Sequence, residues 1–234
     1  MYVLSGIVEG LLPIERDYFL WLNNLRSEFF DTFMYMYSDK ATWLPTAIIL
    51  FLTIVYKLKW KEVALLLVCA LMLGLLCDKV PAECVKPFFE RLRPTYHPDF
   101  KDVVHIVHNT RGGQYGFFSI HVSNGFGIAA LTALLFRYRP FTLIVYLWAF
   151  ITAYSRVYLG VHFITDIIGG MIWGTIAGFL VYFFYIFCRK KILNVPREEL
   201  YKSILIRPKA YILISAFFIT LLYIIFCAYF PEII

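Results

Sequence analysis

The residues best suited to chemistry fall in three clusters, each at the end of an apolar segment. They are Lys86-x6-Arg93-Pro94, Ser119-Ile120-His121, and Ser155-Arg156-x5-His162-x3-Asp166. Together they supply three fixed cations (Lys86, Arg93, Arg156), two histidines and one carboxylate. Fixed cations suit the oxygens of a phosphate, and arginine adds a planar fork of donors. A histidine beside a carboxylate suits proton or phosphoryl transfer. A chain bound for a membrane keeps few ionisable groups at such positions unless they have a task.

Each cluster alone has a plain structural reading. Lys86 and Arg93 are seven apart, roughly two helical turns, so they can share one face before Pro94 ends the helix, with Glu90 and Arg91 close by. A basic helix end that snorkels to the membrane border reads the same way. Ser119 and His121 open an apolar segment. A helix start offers free N–H groups and a positive dipole end to an anion, and Ser119 suits either a helix cap or a phosphate oxygen. The third cluster is the most specific. His162 and Asp166 stand at i and i+4 and share a helix face. The carboxylate can accept one ring N–H and leave the other nitrogen free as a nucleophile. Its plain alternative is a capping Asp beside an interfacial His.

The elements that must position these groups are membrane helices. The chain has 234 residues, 61% hydrophobic and only 16% charged, against about 25% charged in soluble domains. The predicted fold class is all-α, a polytopic helical bundle with six spans near 41–57, 62–82, 121–136, 140–154, 166–187 and 210–229. A polar loop runs from Glu83 to Tyr115. Residues 14–38 carry too many charges to span. Their aromatic and aliphatic residues recur at three and four, which predicts one or two amphipathic helices lying in the interface or packed on the spans. The chain reads as a single integral-membrane domain over 1–234: an N-terminal segment to residue 40, a catalytic core over 41–187 and an extra C-terminal span. With no basic residue before Arg16, a removable signal peptide is not expected.

Loop charges set an orientation. Lys57, Lys59 and Lys61, then Arg137 and Arg139, then Arg189, Lys190, Lys191, Arg197, Lys202, Arg207 and Lys209 fall on one side of alternating spans. That side is cytoplasmic by the positive-inside tendency, and the three clusters then meet on the opposite face. The net charge of +6 is spread between spans rather than gathered in one run. It therefore suits topology and anionic headgroups, not nucleic acid. Five cysteines show no paired or zinc-like spacing. His97, His105 and His108 in the outward loop read as solvated or headgroup-facing side chains rather than a metal site.

The trio resembles the signature of the type 2 phosphatidic acid phosphatase, or lipid phosphate phosphatase, superfamily, whose site vanadium-dependent haloperoxidases share. The first and third motifs match in full and in order. The second departs: Phe118 and Ile120 replace the usual Pro and Gly around Ser119 and His121. The resemblance implies a cofactor-free, metal-independent phosphatase. His162 would attack phosphorus, Asp166 would hold its tautomer, and His121 would protonate the leaving oxygen and then activate water. Lys86, Arg93, Arg156, Ser119 and the Ile120 backbone N–H would bind the phosphoryl oxygens. Because Ile disfavours positive φ, the Ile120 turn is expected to stay in an ordinary backbone region. The implied partner is a membrane lipid in a bacterial cytoplasmic membrane: undecaprenyl diphosphate, a lipid A phosphate or phosphatidylglycerol phosphate. Two other readings remain. A haloperoxidase relative is disfavoured by the apolar spans, and a transport or assembly protein is disfavoured by polar groups at span ends rather than at mid-membrane.

Overall fold

The computed structural model describes Gly6, residues 8–204 and residues 207–233, with backbone alone at 207, 208 and 233. Residues 1–5 and 7 of the predicted N-terminal segment lie outside that description. The described chain is helical, with one isolated bridge between Leu92 and Tyr115. Its main helices are α1 (Leu12–Asn23), α2 (Glu28–Ser38), α3 (Leu44–Val55), α4 (Trp60–Gly74), α5 (Ile120–Phe136), α6 (Arg139–Tyr158), α7 (Ile164–Lys191) and α8 (Arg207–Tyr229). Helix α4 runs on through π-helical turns at Leu75–Lys79 and Pro81–Val85 and a last turn at Lys86–Phe89. Pro81 offers no N–H to an α-helical ladder, and such wide turns commonly accommodate that loss.

A helix stands at each of the six predicted apolar stretches, while length and composition confirm fewer than six as spans. Among the described residues, four helices are long and apolar enough to cross a membrane: Trp60–Phe89, Arg139–Tyr158, Ile164–Lys191 and Lys209–Tyr229. A fifth arises if Glu28–Ser38 and Ala41–Val55, bent by 69° at their junction, count as one broken span. The cause is local. Asp39 is extended (φ −75°, ψ 130°) and interrupts the path from α2, so the stretch read as 41–57 yields only the 12-residue α3. Helix α5 has 17 residues and is largely enclosed by its neighbours, so it presents little surface to lipid.

The N-terminal segment forms two helices, as its periodicity predicts, and α1 packs on the ends of α6 and α7. One face buries Glu15, Phe19 and Asn23, while Ile14, Tyr18 and Trp21 point outward. Phe19 sits edge-on to Phe100 and Phe163, at 5.9 and 5.1 Å between centroids. Asn23 donates to the carbonyls of Tyr158 and His105 and accepts the His105 backbone N–H. The segment is therefore bolted to the bundle by one face and leaves an aromatic face free.

The core of the fold is the seam between α5 and α7. A Cβ added to Gly170 would lie 2.7 Å from the Ser119 carbonyl oxygen, and one on Gly174 would collide with the Ser123 carbonyl. Glycine alone permits this backbone approach, the small-residue packing that membrane helices use.

Candidate active site

The ends of four helices converge on one buried polar group: the last turns of α4 and α6 and the first turns of α5 and α7. His162 lies in the short turn between α6 and α7 and is 1% exposed. Its Nδ1 is 3.2 Å from Asp166 Oδ2. The same oxygen accepts the Phe163 backbone N–H at 3.2 Å. Asp166 therefore caps the first turn of α7 and holds the imidazole at once, which is why an i, i+4 pair at a helix start reads so clearly in sequence.

The three cations gather around this pair. Lys86 Nζ and Arg93 Nε both donate to the Tyr115 carbonyl, at 3.1 and 3.2 Å. Arg93 also donates to the Val161 carbonyl at 3.4 Å. Arg156 is buried near the end of α6, and one arm of its guanidinium bonds the Ser38 hydroxyl. Its Nε is buried without a hydrogen-bond partner. Burial, followed by the charges of Arg93, Arg156 and Lys86, holds the His162 pKa well below the ordinary imidazole value. The ring is thus kept neutral, with its lone pair available, as a nucleophile requires.

Lys86 and Arg93 do not share a helix face. The helix stops at Phe89, Glu90 takes a left-handed conformation (φ 48°), and Arg93 lies in the loop beyond. It is brought back by the Leu92–Tyr115 bridge and by its own N–H to the Gln114 carbonyl. Gly112 (φ +68°) lets the loop pass so near Arg93 that a Cβ there would lie 2.5 Å from Nη1.

Ser119 is the N-cap residue of α5, yet its hydroxyl makes no capping bond. It is fully buried and without a partner. Its N–H bonds the Asp166 carbonyl at 3.1 Å, tying this helix start to the His162 turn. Ile120 opens the helix itself and is not among the residues of positive φ, as its side chain requires. The first N–H groups of a helix lack intrahelical partners, so the start of α5 offers donors to an anion. His121 lies one residue further on. It lines an apolar cleft of about 350 Å³, which runs from Lys40 and Asn124 to Trp43, Trp148 and Phe217.

All the residues singled out from sequence thus meet at one end of the bundle. Four that were not given a role complete the site. Glu15, Arg91 and Thr165 stand behind Asp166, with Arg91 donating to Asp166 Oδ1 at 2.8 Å. Ser38 reaches Arg156 from the bend between α2 and α3. Arg91 is visible in the first cluster, but its partner Glu15 is 76 residues away and leaves no local signal. Of the loop histidines, His97 lies 3.5 Å from Glu9, and His108 packs against Tyr35 with the rings tilted by 58°.

Known proteins resemble this chain in sequence and in fold. The profile of the PAP2 superfamily matches residues 62–190. The lipid A 4'-phosphatase of Porphyromonas gingivalis is 40% identical over 187 residues, covering 80% of this chain and 79% of that protein. That of Bacteroides thetaiotaomicron is 36% identical, covering 76% and 79%. Phosphatidylglycerophosphatase B of Bacillus subtilis is 30% identical over 54% of this chain and 59% of that one. Two crystal structures share the fold at 23% identity. Aquifex aeolicus LpxE has a TM-score of 0.54 over 72% of this chain and 94% of its own. The PAP2-type phosphatidylglycerolphosphate phosphatase of Bacillus subtilis has a TM-score of 0.58, over 81% and 92%.

Proposed function

The chain belongs to the PAP2 superfamily and is a membrane lipid phosphatase, and from that premise we propose that it removes a phosphate from lipid A through a phosphohistidine. The observation that carries the site is the His162–Asp166 pair, set beside a Ser119 hydroxyl and an Arg156 Nε that are buried yet bond nothing in the protein. Buried polar atoms without partners are uncommon, and a phosphate oxygen is the partner these two suit.

In this reading the free Nε2 of His162 attacks phosphorus while the bond to the leaving oxygen breaks. His121 delivers a proton to that oxygen. Asp166 stabilises the charged ring through Nδ1. His121 then takes a proton from water, whose oxygen attacks phosphorus, and the P–N bond breaks to regenerate His162 and release phosphate. Lys86, Arg93, Arg156, Ser119 and the Ile120 N–H hold the equatorial oxygens. Phosphoryl transfer needs chiefly positioning and charge stabilisation, which such donors provide in a water-poor site.

The leaving group must lie beside His121, where the cleft begins. A lining of Trp43, Trp148 and Phe217 suits the apolar part of an amphiphile. The first two relatives favour lipid A over phosphatidylglycerol phosphate and undecaprenyl diphosphate. The positive loops at the opposite helix ends support a cytoplasmic (inner) membrane protein whose site opens outward. Phosphate release by the purified protein from lipid A, phosphatidylglycerol phosphate, undecaprenyl diphosphate and phosphatidic acid tests the assignment. Lipid A is expected to turn over fastest, and a faster rate on another member replaces it as substrate. His162→Ala should fold and release nothing; turnover at the wild-type rate in that variant overturns the mechanism.

A further inference from the structure

Behind Asp166 lies a chain of buried charges that the reaction above does not use. The Arg91 guanidinium is forked between two carboxylates. Nη1 donates to Asp166 Oδ1 at 2.8 Å and to Thr165 Oγ1 at 2.5 Å. Nη2 donates to Glu15 Oε1 at 2.5 Å. Glu15 in turn accepts the Thr165 N–H at 2.8 Å through Oε2 and its hydroxyl at 2.8 Å through Oε1. The side chains of Arg91 and Asp166 are 0% exposed and that of Glu15 is 6% exposed. The Arg91 guanidinium also lies 4.7 Å over the Phe163 ring, which Phe19 and Phe100 flank.

A buried ion pair is poor evidence of stability, because desolvation offsets much of the attraction. Its better-attested use is to fix one arrangement. Here the arrangement concerns both oxygens of Asp166: Oδ2 faces His162 and the Phe163 N–H, and Oδ1 faces Arg91. With both oxygens held, the carboxylate plane cannot turn. Arg91 is fixed by Glu15, and Glu15 is carried by α1, outside the stretch that the superfamily profile matches. The signs also balance. Glu15 neutralises Arg91, so that Asp166 faces a site already crowded by Lys86, Arg93, Arg156 and, when protonated, His121.

We propose that Glu15 and Arg91 are positioning residues for Asp166, and that the N-terminal helix α1 is thereby part of the catalytic apparatus. The proposal rests on the assignment of His162 and Asp166 above. Neither residue touches the phosphate; both act through the carboxylate that orients the nucleophile. Partners at one remove from a reacting group typically carry about 10- to 100-fold in activity, and that is the loss expected in kcat for Glu15→Gln. KM should stay within about twofold, since the phosphate-binding donors are untouched.

Two measurements on the full-length protein in detergent test this. The first is steady-state phosphate release from lipid A by Glu15→Gln, Arg91→Met and the double variant. Residues that act as one relay give a double variant no slower than Arg91→Met alone. Multiplied losses, or wild-type kcat in Glu15→Gln, overturn the proposal. The second needs no substrate. The chain has five histidines, so nitrogen-15 histidine spectra, assigned with His162→Gln, report the His162 tautomer directly. The wild type should show His162 protonated on Nδ1, and Glu15→Gln should lose that single state. A tautomer unchanged in Glu15→Gln overturns the relay, even where activity falls. If the wild type releases no phosphate from lipid A, the substrate reading fails and the spectra still decide the relay. Should Arg91→Met not fold, Glu15→Gln alone carries both tests.

Discussion

Exchanging Asp166 for Asn separates charge and orientation from shape. Asp166 accepts three donors on two oxygens: Arg91 at 2.8 Å, and the Phe163 N–H and His162 Nδ1 at 3.2 Å each. An amide has one acceptor end and one donor end. With its oxygen toward Arg91, the NH2 group faces the Phe163 N–H and His162, and the ring must present a bare Nδ1. That shifts the proton to Nε2 and removes the nucleophile. With the amide reversed, NH2 meets a buried guanidinium and strands a charged donor, at a cost of about 3 kcal/mol or more. Most molecules should therefore take the first arrangement, with the wrong tautomer. The loss expected is about 10³- to 10⁴-fold in kcat, or about 4 to 5.5 kcal/mol of barrier at about 1.36 kcal/mol per decade. Phosphate release under saturating lipid A reads kcat, and the helical circular-dichroism melt confirms the fold. An Asp166→Asn protein that keeps more than about a tenth of wild-type kcat refutes the reasoning, because a one-decade loss needs no change of tautomer.

Two further outcomes follow from the same geometry. Ser119→Ala removes a hydroxyl that bonds nothing in the protein, so the melting temperature should hold within about 2 °C, while kcat/KM falls about 10-fold as one phosphate contact is lost; lost stability with unchanged kcat/KM contradicts the role given to Ser119. For pH, His162 titrates well below its ordinary value in the folded chain. The unfolded chain therefore takes up a proton first, so this stability is whole above about pH 6.5 and drains as the pH falls toward the lowered folded value. Between pH 7.5 and 5.5 the wild type should lose about 1.4 kcal/mol more than His162→Gln does, and equal losses in the two proteins refute the assignment.

Where the sequence was legible and where it was not follows from distance along the chain. The His162–Asp166 pair is only four residues apart, so its spacing alone shows that the two can meet, although His162 lies just ahead of the helix rather than on a face shared with Asp166. Ser119 and His121 are legible because a helix start has a fixed chemistry. The site as a whole is legible because alternate spans place these ends together. Lys86 and Arg93 show the limit. Seven residues suggest two turns of helix, but left-handed Glu90 ends the helix first, and a loop bridge brings Arg93 back instead. Glu15 and Ser38 were beyond reach, since their partners are 76 and 118 residues away. The count of six spans is not confirmed, because hydropathy registers apolar residues, not whether they face lipid. Helix α5 spends its apolar residues on its neighbours, and α3 is too short without α2.

The glycine seam between α5 and α7 has a mechanical consequence. His121 rides on the first turn of α5, and His162 and Asp166 sit at the head of α7. Gly170 and Gly174 bring these two helices into backbone contact, and the Ser119 N–H is bonded to the Asp166 carbonyl. Close-packed backbones do not slide by small amounts, because any shift meets another atom. The seam thus behaves as a rigid jig that holds the two histidines at one spacing. The opposite wall of the cleft is built otherwise, from side chains alone, and there Trp43 and Phe217 meet at 5.7 Å between ring centroids, a contact that rotamer changes can loosen without moving a backbone.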